Sequence, residues 1–184
     1  MSRRFELRRL FSDCIWKGFF MPIPGTEQPE HLYIDGKLRL RRFDNHFDFA
    51  FDWYQDPETV WLVDGVRTPY SWEKLERMYH YLEKQGELYF IEALRNGAFH
   101  PIGDVCFWQN DLPIVIGDPA YRDMGIGRRV ISALILRGRE LGYDTLRVHE
   151  IYAYNTASRK CFEGLGFRPY EATENGNRFE LTLK

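Results

Sequence analysis

The part of the chain best equipped for chemistry runs from Ile114 to Arg129, IVIGDPAYRDMGIGRR: a β-branched run, a short loop with Gly125 and Gly127, then the start of a helical pattern. Glycines let a ligand approach the backbone closely, and the free N–H groups of a helix start attract an anion. Arg122 before the turn, and Arg128 and Arg129 in the first helical turn, add cations at the positive end of that helix. Each such placement costs on the order of 0.3–1 kcal/mol unless an anion offsets it. A bound phosphate would remove the conflict. The plain alternative is a helix start with surface arginines. The loop is neither a P-loop, for want of G-K-[ST], nor a dinucleotide fingerprint, for want of G-x-G-x-x-G.

The frame that must hold this loop is one domain's worth of chain, 184 residues with 44% apolar and 16% aromatic side chains, too rich in core formers for a disordered segment. Lys and Arg number 25 against 27 Asp and Glu, a net charge of −2, which argues against a nucleic-acid partner. Cys14, Cys106 and Cys161 are widely spaced and outside any C-x-x-C pair, so neither a disulfide framework nor a zinc site is expected. No run approaches the ~20 apolar residues that span a bilayer. The expectation is a soluble, cytoplasmic protein with no membrane partner and no metal. Met1 to Arg9 is rich in arginine, but Glu6 and Asp13 interrupt any organelle presequence.

Residues 1–30, with Pro22, Pro24, Gly25 and Pro29, read as an irregular N-terminal extension, and 31–184 as the domain. Asp35-Gly36 between two alternating runs predicts a tight hairpin. Asp44 predicts the N-cap of a helix through Phe47, Phe51 and Trp53, and Asp56-Pro57 the start of a short one through Val60 and Trp61. Ser71 predicts the cap of a longer helix, with Trp72, Leu75, Met78, Tyr79 and Leu82 on one face and Gly86 at its end. Strands follow at Glu87 to Ala93, His100 to Trp108 and Leu112 to Gly117, the first two joined by an Asn96-Gly97 turn, then a helix from Gly125 to Leu141. A strand from Thr145 to Ile151, a helix capped by Asn155 and two closing strands around Glu174 to Asn177 complete an α+β (α/β layered) order.

Two blocks on these elements carry a family pattern. Arg122-Asp123-Met124-Gly125-Ile126-Gly127 matches [QR]-x-x-G-x-[GA] between a strand and a helix, and Asn155, Ser158, Phe162, Gly166 and Phe167 match N-x-x-[AS]-x-x-x-[YF]-x-x-x-G-F. With Pro119, Tyr121 and Arg128-Arg129 around the first block, the chain resembles the GNAT family of N-acetyltransferases from roughly Leu38 to Lys184. The pattern is nearest to its ribosomal-protein N-terminal and aminoglycoside acetyltransferase members. The resemblance implies a single domain with a mixed central sheet flanked by helices, and acetyl-CoA as cosubstrate. It puts the pyrophosphate on the loop formed by Arg122, Asp123, Met124, Gly125, Ile126 and Gly127, with Arg128 adjoining. The pantetheine would run beside Ile114, Val115 and Ile116, reached by Asn155 and with Ser158 near it. Asn155 can equally be a helix N-cap and nothing more.

Direct transfer needs a neutral amine, and an amine with a pKa near 10 is almost wholly protonated at pH 7, so a base must remove its proton. In ribosomal-protein N-terminal acetyltransferases a Glu five residues before the Asn is assigned that role, which falls on Glu150. A solvent-facing strand Glu is the plain reading, and His149 is a second candidate base. Many members place a Tyr, donor to the departing thiolate, where this chain has Phe162. Tyr154, Tyr152 or a water would have to serve, or the thiol, with a reference pKa near 8.5, leaves without an acid. The same departure motivates the alternative of a non-catalytic acyl-CoA-binding regulatory module. Cys161 is more often a small apolar filler than a nucleophile.

The implied acceptor is a peptide N-terminus or a small cationic amine, and a homodimer is left open. Asp44, Asp48, Asp52 and Asp56 recur every fourth residue, an acidic stripe if the helix is continuous, with Glu58 and Asp64 beyond. Such a stripe attracts a cation or simply faces water. Trp53, Tyr54, Trp61, Tyr70 and Trp72 either build core or line an acceptor pocket.

Overall fold

In the computed structural model, which describes residues 21–184, the Asp35-Gly36 turn joins β1 (His31–Asp35) to β2 (Leu38–Arg42). The Asp35 carboxylate accepts from Lys37 N at 2.8 Å and closes the turn. Cys14 and most of the predicted N-terminal extension lie outside the described residues. β3 (Glu87–Arg95) and β4 (Ala98–Phe107) form a second hairpin around Asn96 and Gly97, both at positive φ as such a turn requires. With β5 (Ile114–Ile116) these strands pair antiparallel in the order β1-β2-β3-β4-β5. A second antiparallel ladder has the order β6-β8-β7, from β6 (Thr145–Tyr152), β7 (Arg168–Ala172) and β8 (Gly176–Thr182).

The two ladders touch in the parallel sense. Gln109 O accepts from Arg147 N at 2.9 Å, and two residues on in both segments the Asp111 carboxylate accepts from His149 N at 2.9 Å. This step gives the sheet its mixed character. Beyond Asp111, among the described residues, no backbone hydrogen bond joins β5 to β6. The sheet forks there.

Helix α1 spans Pro57–Asp64, α2 Trp72–Gln85, α3 Ile126–Glu140 and α4 Thr156–Glu163. Ser71 and Asn155 cap α2 and α4 as expected, accepting from Lys74 N and Ser158 N. Gly86 ends α2 for a different reason from a left-handed cap. Its backbone is extended, and an added Cβ would lie 2.3 Å from Phe107 O. The central strand β3 is covered on both faces. Tyr89 and Ile91 pack with Val130, Ile131 and Leu134 of α3, while Leu88 and Phe90 pack with Leu75 and Tyr79 of α2. Each such fully buried aliphatic side chain contributes roughly 1.5–3 kcal/mol.

The expected helix from Asp44 is instead a 3-10 segment, Asp48–Gln55. Phe47 just before it and Ala50 and Trp53 within it are buried at a spacing of three, the period of that tighter coil, and Tyr54 is buried beside Trp53. Asp44 stands outside it, accepting from His46 N and pairing with Arg41. A spacing of four then walks around the axis, so Asp44, Asp48, Asp52 and Asp56 form no single stripe. Asp56 caps α1 through Glu58 N at 3.0 Å.

Candidate active site

The loop after β5 is built to expose backbone amides. Asp118 accepts from Ala120 N at 2.9 Å and turns the chain through Pro119–Tyr121. Asp123 and Gly125 then take positive φ, 60° and 71°. Gly125 is the N-cap of α3, and no side chain bonds there. The first bond of the helix runs from Arg129 N to Gly125 O at 3.2 Å, so the N–H groups of Ile126, Gly127 and Arg128 precede it and stay available. A cavity of about 790 Å³ opens against this turn, bordered by β5, α1, the loop and α4. Ile114, Val115, Ile116, Arg122, Asp123, Gly125, Ile126, Gly127, Arg128, Asn155 and Ser158 all border it. Met124, 62% exposed, does not. Gly125 is there for its φ, while a Cβ on Gly127 would project toward Ile114 and Cys161 at about 4 Å.

The arginines are less free than the sequence implied. Arg122 Nη2 donates to the Asp56 carboxylate at 3.0 Å and to Thr59 Oγ1 at 2.6 Å, and its Nε donates to Ile116 O at 3.2 Å. Burial raises the Asp56 carboxyl, but Glu58 N, Arg122 and Thr59 together hold it below its ordinary value. Arg129 pairs with Asp35. Part of the electrostatic conflict at the start of α3 is therefore relieved inside the protein. Arg128 is the exception, with, among the described residues, only a neutral carbonyl, Gly164 O at 2.9 Å, on its guanidinium.

A smaller cavity of about 250 Å³ lies at the fork, with Asp111, Pro113, His149, Glu150 and Tyr152 on its walls. Leu62, Val63, Ile114, Val115, Asn155, Ser158 and Phe162 border both cavities, so the two meet between the splayed strands. Glu150 reaches this wall through a bulge. Val148 faces Phe179 and Ile151 faces Asn177, which leaves one extra residue in β6. Glu150 is half-buried and accepts from the Thr173 hydroxyl; His149 is exposed. Asp111 is pushed above the ordinary carboxyl range by burial, against the pull of His149 N and Leu112 N.

Tyr154 borders the larger cavity, but its hydroxyl donates to Trp61 O at 2.8 Å. Its ring stacks between Trp61 at 4.3 Å and Tyr152 at 5.2 Å. Burial raises the phenol pKa, and Tyr152, Glu150 and Asp64 add to the shift, so the proton stays on. Asn155 does two things: Oδ1 accepts from Ser158 N at 3.0 Å, and Nδ2 donates to Leu62 O at 3.3 Å, which ties α4 to α1. Phe162 is buried, edge-on to Phe167 at 5.1 Å. Burial also raises the Cys161 thiol against the opposing pull of Arg128, unsuited to a nucleophile.

The acidic wall does not assemble. Asp44, Asp48 and Asp52 border neither cavity, Asp64 is occupied by Tyr70 Oη at 2.8 Å and Lys74 Nζ at 2.6 Å, and of the expected acids Glu58 alone stands on the border of the larger cavity. Nor do the grouped aromatics line the cleft. Trp53, Tyr54 and Tyr70 are core, and Trp72 stacks on Phe47 at 5.3 Å. Thr59, Thr173 and the hold of Asp56 on Arg122 escaped the sequence reading, since each depends on a contact with a residue far along the chain. Among the described residues no three His, Cys, Asp or Glu side chains gather as metal ligands, and no helix is long and apolar enough to cross a membrane.

Residues 47–167 match the model of the acetyltransferase (GNAT) family. No curated protein matches the sequence. Solved structures share the fold. A domain from Methanocaldococcus jannaschii is 24% identical with a TM-score of 0.69, the match covering 80% of this chain and 99% of that one. An acetyltransferase from Salmonella typhimurium, described as modifying the N-terminal serine of ribosomal protein L7/L12, is 17% identical with a TM-score of 0.65, covering 84% and 100%. Aminoglycoside acetyltransferase AAC(6')-Ib in complex with coenzyme A is 16% identical with a TM-score of 0.63, covering 79% and 94%.

Proposed function

Since the chain belongs to the acetyltransferase (GNAT) family, we propose that it transfers the acetyl group of acetyl-coenzyme A directly to a primary amine. One observation carries this reading: two cavities, one against exposed helix-start amides and one holding a carboxylate, meet where β5 and β6 part. The pyrophosphate sits on the amides of residues 122–127, where Arg128 can turn from Gly164 O to an anion. The pantetheine follows Ile114–Ile116, with Asn155 and Ser158 beside it, which brings the thioester to the junction. Binding of coenzyme A in the structures of aminoglycoside acetyltransferase AAC(6')-Ib, and of acetyl-CoA in a Salmonella typhimurium relative, supports this choice of donor.

Glu150 takes the proton from the incoming amine. The nitrogen lone pair attacks the thioester carbonyl, a C–N bond forms, the nitrogen gives its second proton to water, the C–S bond breaks and the thiolate of coenzyme A departs. Phe162 has no hydroxyl to protonate it; Tyr154 can do so once its hydroxyl leaves Trp61 O, and a water is the substitute. A slim acceptor suits the 250 Å³ cavity, and of the acids expected to attract a polycation only Glu58 borders the larger cavity, while Asp44, Asp48 and Asp52 border neither. A peptide N-terminus is therefore favoured over an aminoglycoside. The free thiols Cys106 and Cys161 fit a reducing cytoplasm.

The test incubates the protein with acetyl-CoA and a panel of amines, among them a peptide with N-terminal serine and paromomycin, and follows thiol release. Release is expected with a peptide amine. Glu150→Gln should lower kcat at least about a hundredfold, the scale of a general base, and leave coenzyme A affinity within twofold. Gly125→Val, which forces a β-branched residue to φ 71°, should abolish coenzyme A binding. Binding of coenzyme A without thiol release to any amine would favour the acyl-CoA-binding module instead.

A further inference from the structure

Thr173 lies in the turn between β7 and β8. The turn is closed twice, by Thr173 N to Gly176 O at 3.0 Å and by Gly176 N to Thr173 Oγ1 at 2.9 Å. It is fastened to the segment after β6 by Ala153 N donating to Asn175 O at 2.9 Å. Gly176 sits so close to β6 that an added Cβ would lie 2.0 Å from Ile151 O, which leaves the turn no room to shift toward the strand. The Thr173 oxygen thus accepts from a fixed backbone amide, and its O–H points to Glu150 Oε1. An ionised carboxylate only accepts, so the direction of this bond is set by chemistry. Glu150 needs such a fixed point because the β6 bulge interrupts the cross-strand pairing that would otherwise order its side chain.

We propose that Thr173 is a positioning residue for the reaction: it holds Oε1 of Glu150 so that Oε2 is offered to the amine in the smaller cavity. This rests on the reading of Glu150 as the base. Thr173 touches no substrate and acts through the carboxylate alone.

The test compares Thr173→Val, Thr173→Ser, Glu150→Gln and the Thr173→Val/Glu150→Gln double variant, using the amine of the panel that releases most thiol. Thr173→Val should lower kcat about ten- to a hundredfold, the penalty of a misplaced catalytic group, with KM for acetyl-CoA within twofold. Thr173→Ser, which keeps both the O–H donor and the acceptor for Gly176 N, should restore kcat to within threefold. The valine change should add nothing in the Glu150→Gln background. A crystal structure of Thr173→Val, which needs no acceptor, should show the Glu150 side chain moved or in several conformers.

Loss of kcat on Thr173→Val that serine does not restore, or an equal loss in the Glu150→Gln background, would overturn the positioning role. So would a single, unmoved Glu150 in the variant crystal. The two readings fail separately. If Glu150→Gln cripples turnover while Thr173→Val does not, only the positioning role falls. If Glu150→Gln leaves turnover intact, the base falls and Thr173 with it.

Discussion

Asp104 should make the stability of this protein depend on pH with a sign opposite to that of most carboxylates. It sits on β4 opposite Val115 of β5, directly behind the cleft. Its Oδ2 accepts from Tyr54 Oη at 3.0 Å and Tyr79 Oη at 2.8 Å. Burial pushes its carboxyl up to about 6 from 3.8, with the two hydroxyls pulling the other way. Below pH 3.8 it is neutral in both the folded and the unfolded chain and costs nothing. Between 3.8 and 6 the unfolded chain releases the proton while the folded one keeps it, so stability falls as pH rises and levels off above 6. A shift of roughly 2 units corresponds to about 3 kcal/mol.

Asp104→Asn removes this dependence. The amide oxygen can accept both hydroxyls, and an unpaired NH₂ in place of Oδ1 costs about 1–3 kcal/mol at every pH. That constant cancels when two pH values are compared. About 2.5 kcal/mol of the change falls between pH 4 and pH 8, so the melting temperature of the variant minus that of the wild type should climb by about 5–10 °C across that range, at about 2–4 °C per kcal/mol for a chain of this size. Circular dichroism melts of both proteins across that range measure it. A difference that stays flat with pH would refute the argument.

Two further outcomes follow from the cleft. Saturating coenzyme A should slow alkylation of Cys161 by N-ethylmaleimide at least about tenfold, because its thiol borders the larger cavity; equal rates with and without coenzyme A would remove the cofactor from that cavity. Asp56→Asn keeps a capping oxygen for Glu58 N but loses the charge that holds Arg122, so coenzyme A affinity measured by calorimetry should rise several-fold, and weaker binding would mean that the pair holds the loop in its binding shape.

Most of the fold was legible because its signals are local. Asp35-Gly36 and Asn96-Gly97 set hairpins, Ser71 and Asn155 cap helices, and Gly125 takes the positive φ that opens α3. The 3-10 segment was missed because Phe47, Ala50 and Trp53 at a spacing of three sit among acids at a spacing of four, and burial decided which period won. The glycine loop after β5 was legible as a motif, yet the partners of its arginines were not. Arg122 meets Asp56 and Arg129 meets Asp35 across long stretches of chain, and no local pattern announces such pairs. Glu150 was reachable through the family resemblance, which points five residues before Asn155, whereas the bulge that carries it to the cleft depends on the register of β8.

Helix α1 shows why these long-range pairs matter to chemistry. Its N-terminus is held by Arg122 of the amide loop, through Asp56 and Thr59. Its C-terminal carbonyls, Trp61 O and Leu62 O, are held by Tyr154 and Asn155 from the far side of the fork. Between these ties Leu62 and Val63 border both cavities. A strand pair that splays leaves backbone groups unpaired and a gap in the core, and water would fill it unless another element covered it. An apolar helix laid across the gap and bonded at both ends covers it, while two openings remain at its flanks. The near-neutral composition hides this arrangement, since Arg122 and Arg129, read first as a phosphate cradle, are spent largely on Asp56 and Asp35 within the fold. Among the described residues, the larger cavity keeps the row of amides at the start of α3, the guanidinium of Arg128 and the ammonium of Lys160 on its border, so backbone geometry and two cations, not the arginine cluster of the motif, are what it offers an anion.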